Sequence, residues 1–151
     1  MSVQIDIMWD ADADQTLGLP SYETAGAAGA DLRANLPDRG ELILAAGGRA
    51  LVPTGLRMGI PLGFEVQIRP RSGLALKHGV TLTNAPGTID SDYRGPVGLI
   101  MSNLGQDPFV ITHGMRVAQM VVAPVMQAEF QVQTALDNTT RGAGGFGSTG
   151  V

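Results

Sequence analysis

Gly87-Thr88-Ile89-Asp90-Ser91-Asp92-Tyr93-Arg94-Gly95 decides how this chain is read, because it sets two carboxylates, a hydroxyl and a tyrosine between glycines. β-Branched Thr88 and Ile89 suit an incoming strand. Arg94-Gly95 closes a turn before Pro96-Val97-Gly98-Leu99-Ile100 begins the next, so the segment predicts a tight hairpin. Asp90 displayed on such a hairpin can position a water for attack, with the Tyr93 ring against a sugar or base. The same residues also make an ordinary polar hairpin, with Asp and Gly present for turn chemistry.

Working outward, short apolar runs recur at 42–44, 49–52, 56–60, 64–68, 80–82, 97–101, 109–111, 117–125 and 130–132. Gly, Pro or Asn separates most of them, which is the spacing of an all-β barrel or sandwich. Val3, Ile5, Ile7 and Trp9 alternate with other residues at the period of a half-buried strand. One helical turn or short helix is expected, from Ser72 to His78. Asp10, Asp12 and Asp14 imitate the start of a calcium loop. The sixth position is Gln15 and not Gly, and the twelfth is Ser21 and not Glu, so this is read as a solvated turn.

The 151 residues imply one domain with a real core. Hydrophobic content of 44% against 16% charged residues argues against disorder. Glycine (21) and proline (9) are abundant, which favours strands joined by turns over long helices. With no cysteine, disulfides, thiolate metal sites and a thiol nucleophile are excluded. Met1 to Trp9 is interrupted by Gln4 and Asp6, so neither a signal peptide nor a membrane span is expected, and the chain is read as cytoplasmic. The Asn138-Thr139-Thr140 sequon then carries no meaning. A formal charge of −4 argues against a broad nucleic-acid footprint but leaves room for a small phosphorylated ligand. Arg71, Arg116 and Arg141 all lie in Gly-rich motifs, so positive charge is either concentrated there or spread over three solvated arginines. No Gly-Lys-Ser/Thr occurs, which excludes a P-loop.

Pro70-Arg71-Ser72-Gly73 offers a guanidinium, a hydroxyl and open backbone N–H groups where a strand gives way to a helical turn. It reads as an anion nest or as a serine N-cap beside a surface arginine. Asn84 ends a strand; its amide can donate and accept, as a base reader must, or it can simply shape a turn. Asp31 follows small residues and reads as a turn or capping residue. Gln119 lies in what reads as a buried strand, Met115–Val122. From Asn138 the character changes: glycines at 142, 144, 145, 147 and 150 surround Phe146, Ser148 and Thr149. This is either a disordered end or an arm that orders over a ligand, since Arg, Phe, Ser and Thr can pair with phosphate and stack on a base.

Taken in order, Ala25–Arg33, Pro70–Ala75, the Asp90 segment, Gly114–Met120 and Arg141–Gly150 resemble the five motifs of the homotrimeric dUTPase family. The resemblance runs from about Pro20 to Thr149. It implies a jelly-roll-like distorted β-barrel over residues 1–137. A Gly-rich mobile C-terminal arm, 138–151, would close over active sites between the subunits of a homotrimer. It also implies hydrolysis of dUTP to dUMP and pyrophosphate with Mg²⁺, which supplies dUMP for thymidylate and keeps uracil out of DNA. Asp90 becomes the residue that polarises the attacking water. Asn84, with Gly87, Thr88, Ile89 and Gly98 of the following segment, reads uracil. Tyr93 packs on the deoxyribose and excludes a 2′-hydroxyl. Arg71, Ser72 and Gly73 hold phosphates, Gln119 meets the phosphate-binding serine, and Asp31 supports the metal through water. Arg141, Phe146, Gly147, Ser148 and Thr149 close the arm over the nucleotide. Three positions depart from the family pattern: His113 stands where a turn proline is common, Gly98 replaces a larger residue, and Pro86 lies in the uracil loop. A dCTP deaminase of the same fold and a catalytically silent nucleotide-binding module are the alternatives.

Overall fold

The computed structural model describes residues 2–148. Eleven strands and one short helix follow in the order β1 (Asp6–Trp9), β2 (Ala30–Arg33), β3 (Glu41–Leu44), β4 (Arg49–Pro53), β5 (Leu56–Gly59), β6 (Phe64–Pro70), α1 (Ser72–His78), β7 (Val80–Leu82), β8 (Gly87–Ile89), β9 (Gly98–Asn103), β10 (Phe109–Thr112) and β11 (Arg116–Pro124). The all-β expectation holds, and α1 has the predicted span. The strands pair antiparallel in four sheets: β2-β11-β6-β8, β4-β9-β7, and the pairs β1-β5 and β3-β10. Together they make a jelly-roll-like distorted barrel.

Alternation builds the core. Val66 and Ile68 of β6 point inward, as do Leu99 and Met101 of β9, while Glu65, Gln67 and Arg69 face out. Leu32, Leu44, Val52 and Ile111 complete the buried centre. Asn103 is fully buried among them, and it is satisfied. Its amide donates to the Leu44 and Asp107 carbonyls at 3.0 and 2.8 Å and accepts from Gly105 N–H at 2.9 Å. A buried amide left unpaired would cost far more than these bonds add.

Four local expectations are corrected. The segment after Ile89 is not a hairpin. β8 pairs with β6, whereas β9 pairs with β4 and β7, so residues 90–97 carry the chain from one sheet to another. Asp31 lies in strand β2, opposite Gln119, and not in a turn. Phe130–Val132 forms no strand; both residues are fully exposed, because the last pairing ends at Pro124. Ser72 is not an N-cap, since Arg71 takes that position and makes no side-chain cap bond.

His113 ties the N-terminal loop to the barrel. Leu36 N–H donates to its Nδ1 at 3.1 Å, which requires the ring proton on Nε2. That proton points at Asp14 Oδ2, 3.2 Å away. A proline here would offer neither bond. The Asp14 carboxyl is held down at about 2 from an ordinary 3.8. Hydrogen bonds from the Thr16 hydroxyl (2.6 Å) and N–H (3.0 Å) are the main cause, with smaller help from His113 and Arg39. A depressed carboxyl stabilises the fold above its unfolded value and loses that contribution as pH falls from about 4 through about 2. Melting temperature followed from pH 6 to pH 2 should therefore fall less steeply for Asp14→Asn than for the wild type. Identical slopes would remove Asp14 from the acid response.

Candidate active site

The switch between sheets creates a small cavity. It has a volume of about 190 Å³, with Ile68, Leu82 and Leu99 among the residues lining it. Asn84, Gly87, Thr88, Ile89, Asp90, Tyr93 and Gly98 all lie on its wall. Sequence reading missed the apolar residues, whose signal was only that of core strands. The volume is below the ~300–1,000 Å³ of pockets that take a whole drug-sized ligand, so it suits one ring and its attachment.

Local contacts shape this wall. The Tyr93 hydroxyl donates to the Pro96 carbonyl at 3.1 Å, and Arg94 Nη1 donates to the Ser91 carbonyl at 2.6 Å. These bonds fix the loop and leave the Asp90 carboxylate unengaged among the described residues. Gly95 lies against the Tyr93 ring, and a Cβ there would run into it. At Gly87 a Cβ would come within 3.3 Å of the Asn84 amide. At Gly98 it would meet Leu51 Cδ1 at 2.7 Å, so the Leu51 side chain covers the space a larger residue would take. Pro86 follows Ala85 through a cis peptide bond.

A second cluster forms where β2, β11 and the end of β6 meet. Asp31 accepts from Arg116 Nη1 at 2.9 Å and lies 3.5 Å from Arg71 Nε. Arg71 Nη1 donates to the Arg116 carbonyl at 2.9 Å, and Glu23 pairs with Arg116 at 2.9 Å. Ser72 and Gly73 are exposed beside it, at the start of α1. Gln119 does not make the expected contact with Ser72: its amide donates to the Pro70 carbonyl at 3.0 Å. Arg116 was read only as one of three arginines able to gather positive charge, and Glu23 not at all, because their pairing joins distant segments. Among the described residues no three His, Asp or Glu side chains gather as a metal cage.

The two clusters stand apart. Asp90 leaves β8 just past the Ile89–Val66 pairing, thus opposite Glu65, while Arg71 is six residues further along β6. At ~3.3 Å per strand residue that is roughly 20 Å. The described arm residues join neither cluster. Arg141 Nε donates to the Gly144 carbonyl at 2.8 Å, Ser148 N–H to the Gly145 carbonyl at 3.1 Å, and Phe146 is fully exposed at φ 51°. Gly147 follows it at φ 87°. Thr149 lies outside the described residues.

The chain thus carries a small pocket lined by hydrogen-bonding groups and, apart from it, a cluster of two arginines and two carboxylates. The sequence model of the dUTPase family matches residues 15–150. The deoxyuridine 5'-triphosphate nucleotidohydrolase of Roseobacter denitrificans is 68% identical over 148 residues, covering 98% of this chain and 97% of that protein. The fold is shared with the dUTPase of Staphylococcus bacteriophage 80alpha, solved with dUPNHPP. That similarity has a TM-score of 0.84 at 21% identity, over 98% of this chain and 99% of the other. A variant dUTPase from phage phi11 of S. aureus, solved with a structural Mg(II) ion, gives a TM-score of 0.73 at 18% identity over 87% and 97%. This chain belongs to the dUTPase family.

Gly95→Ala should displace the Tyr93 ring at a stability cost of about 1–3 kcal/mol, the range for overpacking. Gly26→Ala, where a Cβ meets nothing within 4 Å, serves as the control and should stay within about 0.5 kcal/mol. Denaturant titration of the two variants checks this.

Proposed function

We propose that the protein is a dUTP diphosphatase that hydrolyses dUTP to dUMP and pyrophosphate by attack of water on the α-phosphorus. The observation that carries the reading is the convergence of Asn84, Tyr93 and the unengaged Asp90 carboxylate on one base-sized pocket. Asn84 pairs with the uracil edge, aided by backbone groups of Gly87, Thr88, Ile89 and Gly98. Tyr93 packs on the deoxyribose, where a 2′-hydroxyl has no room. Asp90 holds and polarises the water, as a well-placed carboxylate can. The deaminase alternative is not favoured, since the named relative is a dUTP nucleotidohydrolase.

Arg71, Ser72, Gly73 and Gln119 serve the phosphates. Asp90 and Arg71 of one chain lie roughly 20 Å apart along the β6 direction, so this reading assigns them to different nucleotides. The reading therefore places each site between subunits of a homotrimer. Met126, Phe130, Val132 and Leu136, all exposed beyond the last strand, are apolar groups that a neighbouring subunit would cover. In this reading residues 1–137 are the barrel domain and 138–151 the arm. Arg141, Phe146, Gly147, Ser148 and Thr149 close over the nucleotide, and the enzyme works in the cytoplasm.

The donor set fits Mg²⁺ as a phosphate-bound ion and not as a caged one. Asp31 is one carboxylate already shared by two guanidiniums, and Mg²⁺ keeps several waters and binds mainly through substrate phosphates. Asp31 would reach it through water. When bound, the ion neutralises charge on the phosphate chain.

Incubation with each deoxynucleoside triphosphate and Mg²⁺, with pyrophosphate and ammonia quantified, tests the reading. Pyrophosphate from dUTP alone is expected; ammonia from dCTP would indicate the deaminase, and neither product a binding module. Asp90→Asn should lower turnover by roughly 10²–10⁴ with little change in nucleotide affinity. Near-normal turnover would assign water activation to another group. Removal of residues 141–151 should leave melting unchanged, because that segment contributes no buried core residue among those described. Turnover should collapse, since lid closure excludes water and fixes the phosphorus for attack. Phe146→Ala should show part of that loss, through stacking of ~1–3 kcal/mol.

A further inference from the structure

Arg69, on the outward face of the four-stranded sheet, has no part in either cluster. It stands opposite Gln119, which stands opposite Asp31, so the three side chains form one row across β6, β11 and β2. Directly opposed residues of antiparallel strands share a face. Further along this face, Arg71 and Arg116 meet two carboxylates, Asp31 and Glu23, so their cluster is charge-balanced. Arg69 is not balanced in this way. Its Nε and Nη2 donate to the neutral Gln67 Oε1 at 3.2 and 2.6 Å. Gln67 in turn donates to Glu65 Oε1 at 2.7 Å, and Glu65 sits four residues from Arg69, about 13 Å along the strand. Two of the five guanidinium N–H groups are thereby used to hold the fork still, and the other three have no partner among the described residues.

The free side of Arg69 borders a cleft of about 490 Å³ formed with Gln67, Pro70, Ala85, Pro86 and Gln119. We propose that this cleft is an anion subsite that takes the diphosphate leaving group, with Arg69 as its contact residue. The proposal rests on the diphosphatase reading. An unbalanced, pre-positioned guanidinium matches a small ligand with several phosphoryl oxygens, because a planar fork binds two of them at once. The row through Gln119 makes the cleft continuous with the Pro70–Ser72 end of β6, where the phosphates are placed.

Calorimetric titration of inorganic pyrophosphate and of dUMP into the full-length protein tests it without catalysis. Wild-type protein should bind pyrophosphate, Arg69→Met should weaken that binding by about tenfold or more, and dUMP affinity should be unchanged. Arg69→Lys, which keeps the charge but not the fork, should fall between the two. Unchanged pyrophosphate affinity in Arg69→Met overturns the proposal. So does an equal loss for dUMP, which would make Arg69 a scaffold residue. Pyrophosphate release from dUTP by the wild type reads the underlying diphosphatase assignment separately.

Discussion

The antiparallel pairing of β6 with β11, running from Ala118–Pro70 to Pro124–Phe64, is the constraint on which the rest of the molecule depends. It sets Val66, Ile68 and Met120 into the core while Glu65, Gln67, Arg69 and Gln119 face out. A slip of one residue would exchange the two sets, so burial of the apolar side enforces the register of the polar one. The same strand ends at Pro70, which puts Arg71 and Ser72 at a fixed position beyond the sheet. Through Val66–Ile68 β6 also holds β8, and with it the start of the segment that carries Asp90. One hydrophobically enforced ladder therefore positions both clusters.

Charge is partitioned over this frame. The net charge of −4 says little about the ligand, because several acids are engaged in holding the fold. Asp10 pairs with Arg57 at 2.6 Å, and Asp14 takes Thr16, His113 and Arg39. Asp31 and Glu23 hold Arg71 and Arg116 in place and also compete with any anion for them. A phosphate chain arriving there has to share guanidiniums with carboxylates.

By itself, the sequence determined the all-β class, the short helix at Ser72–His78 and the polar residues that line the small pocket. Each is a local property: alternation and turn residues define strands within a few positions, and the pocket residues mostly lie in the contiguous run 84–98. Tertiary structure alone decided that the Asp90 segment crosses between sheets and does not turn back on itself, because strand partners are chosen by burial of distant residues. It made Asp31 a strand residue bound to arginines at 71 and 116, and it gave His113 a bridge between Leu36 and Asp14. The apolar run 130–132 has no strand partner among the described residues, since alternation marks a capacity to pair and pairing needs a neighbour. The separation of the two clusters belongs to the same class. It follows from the length of β6 and from which strands lie beside it, which are non-local facts that no window of sequence contains.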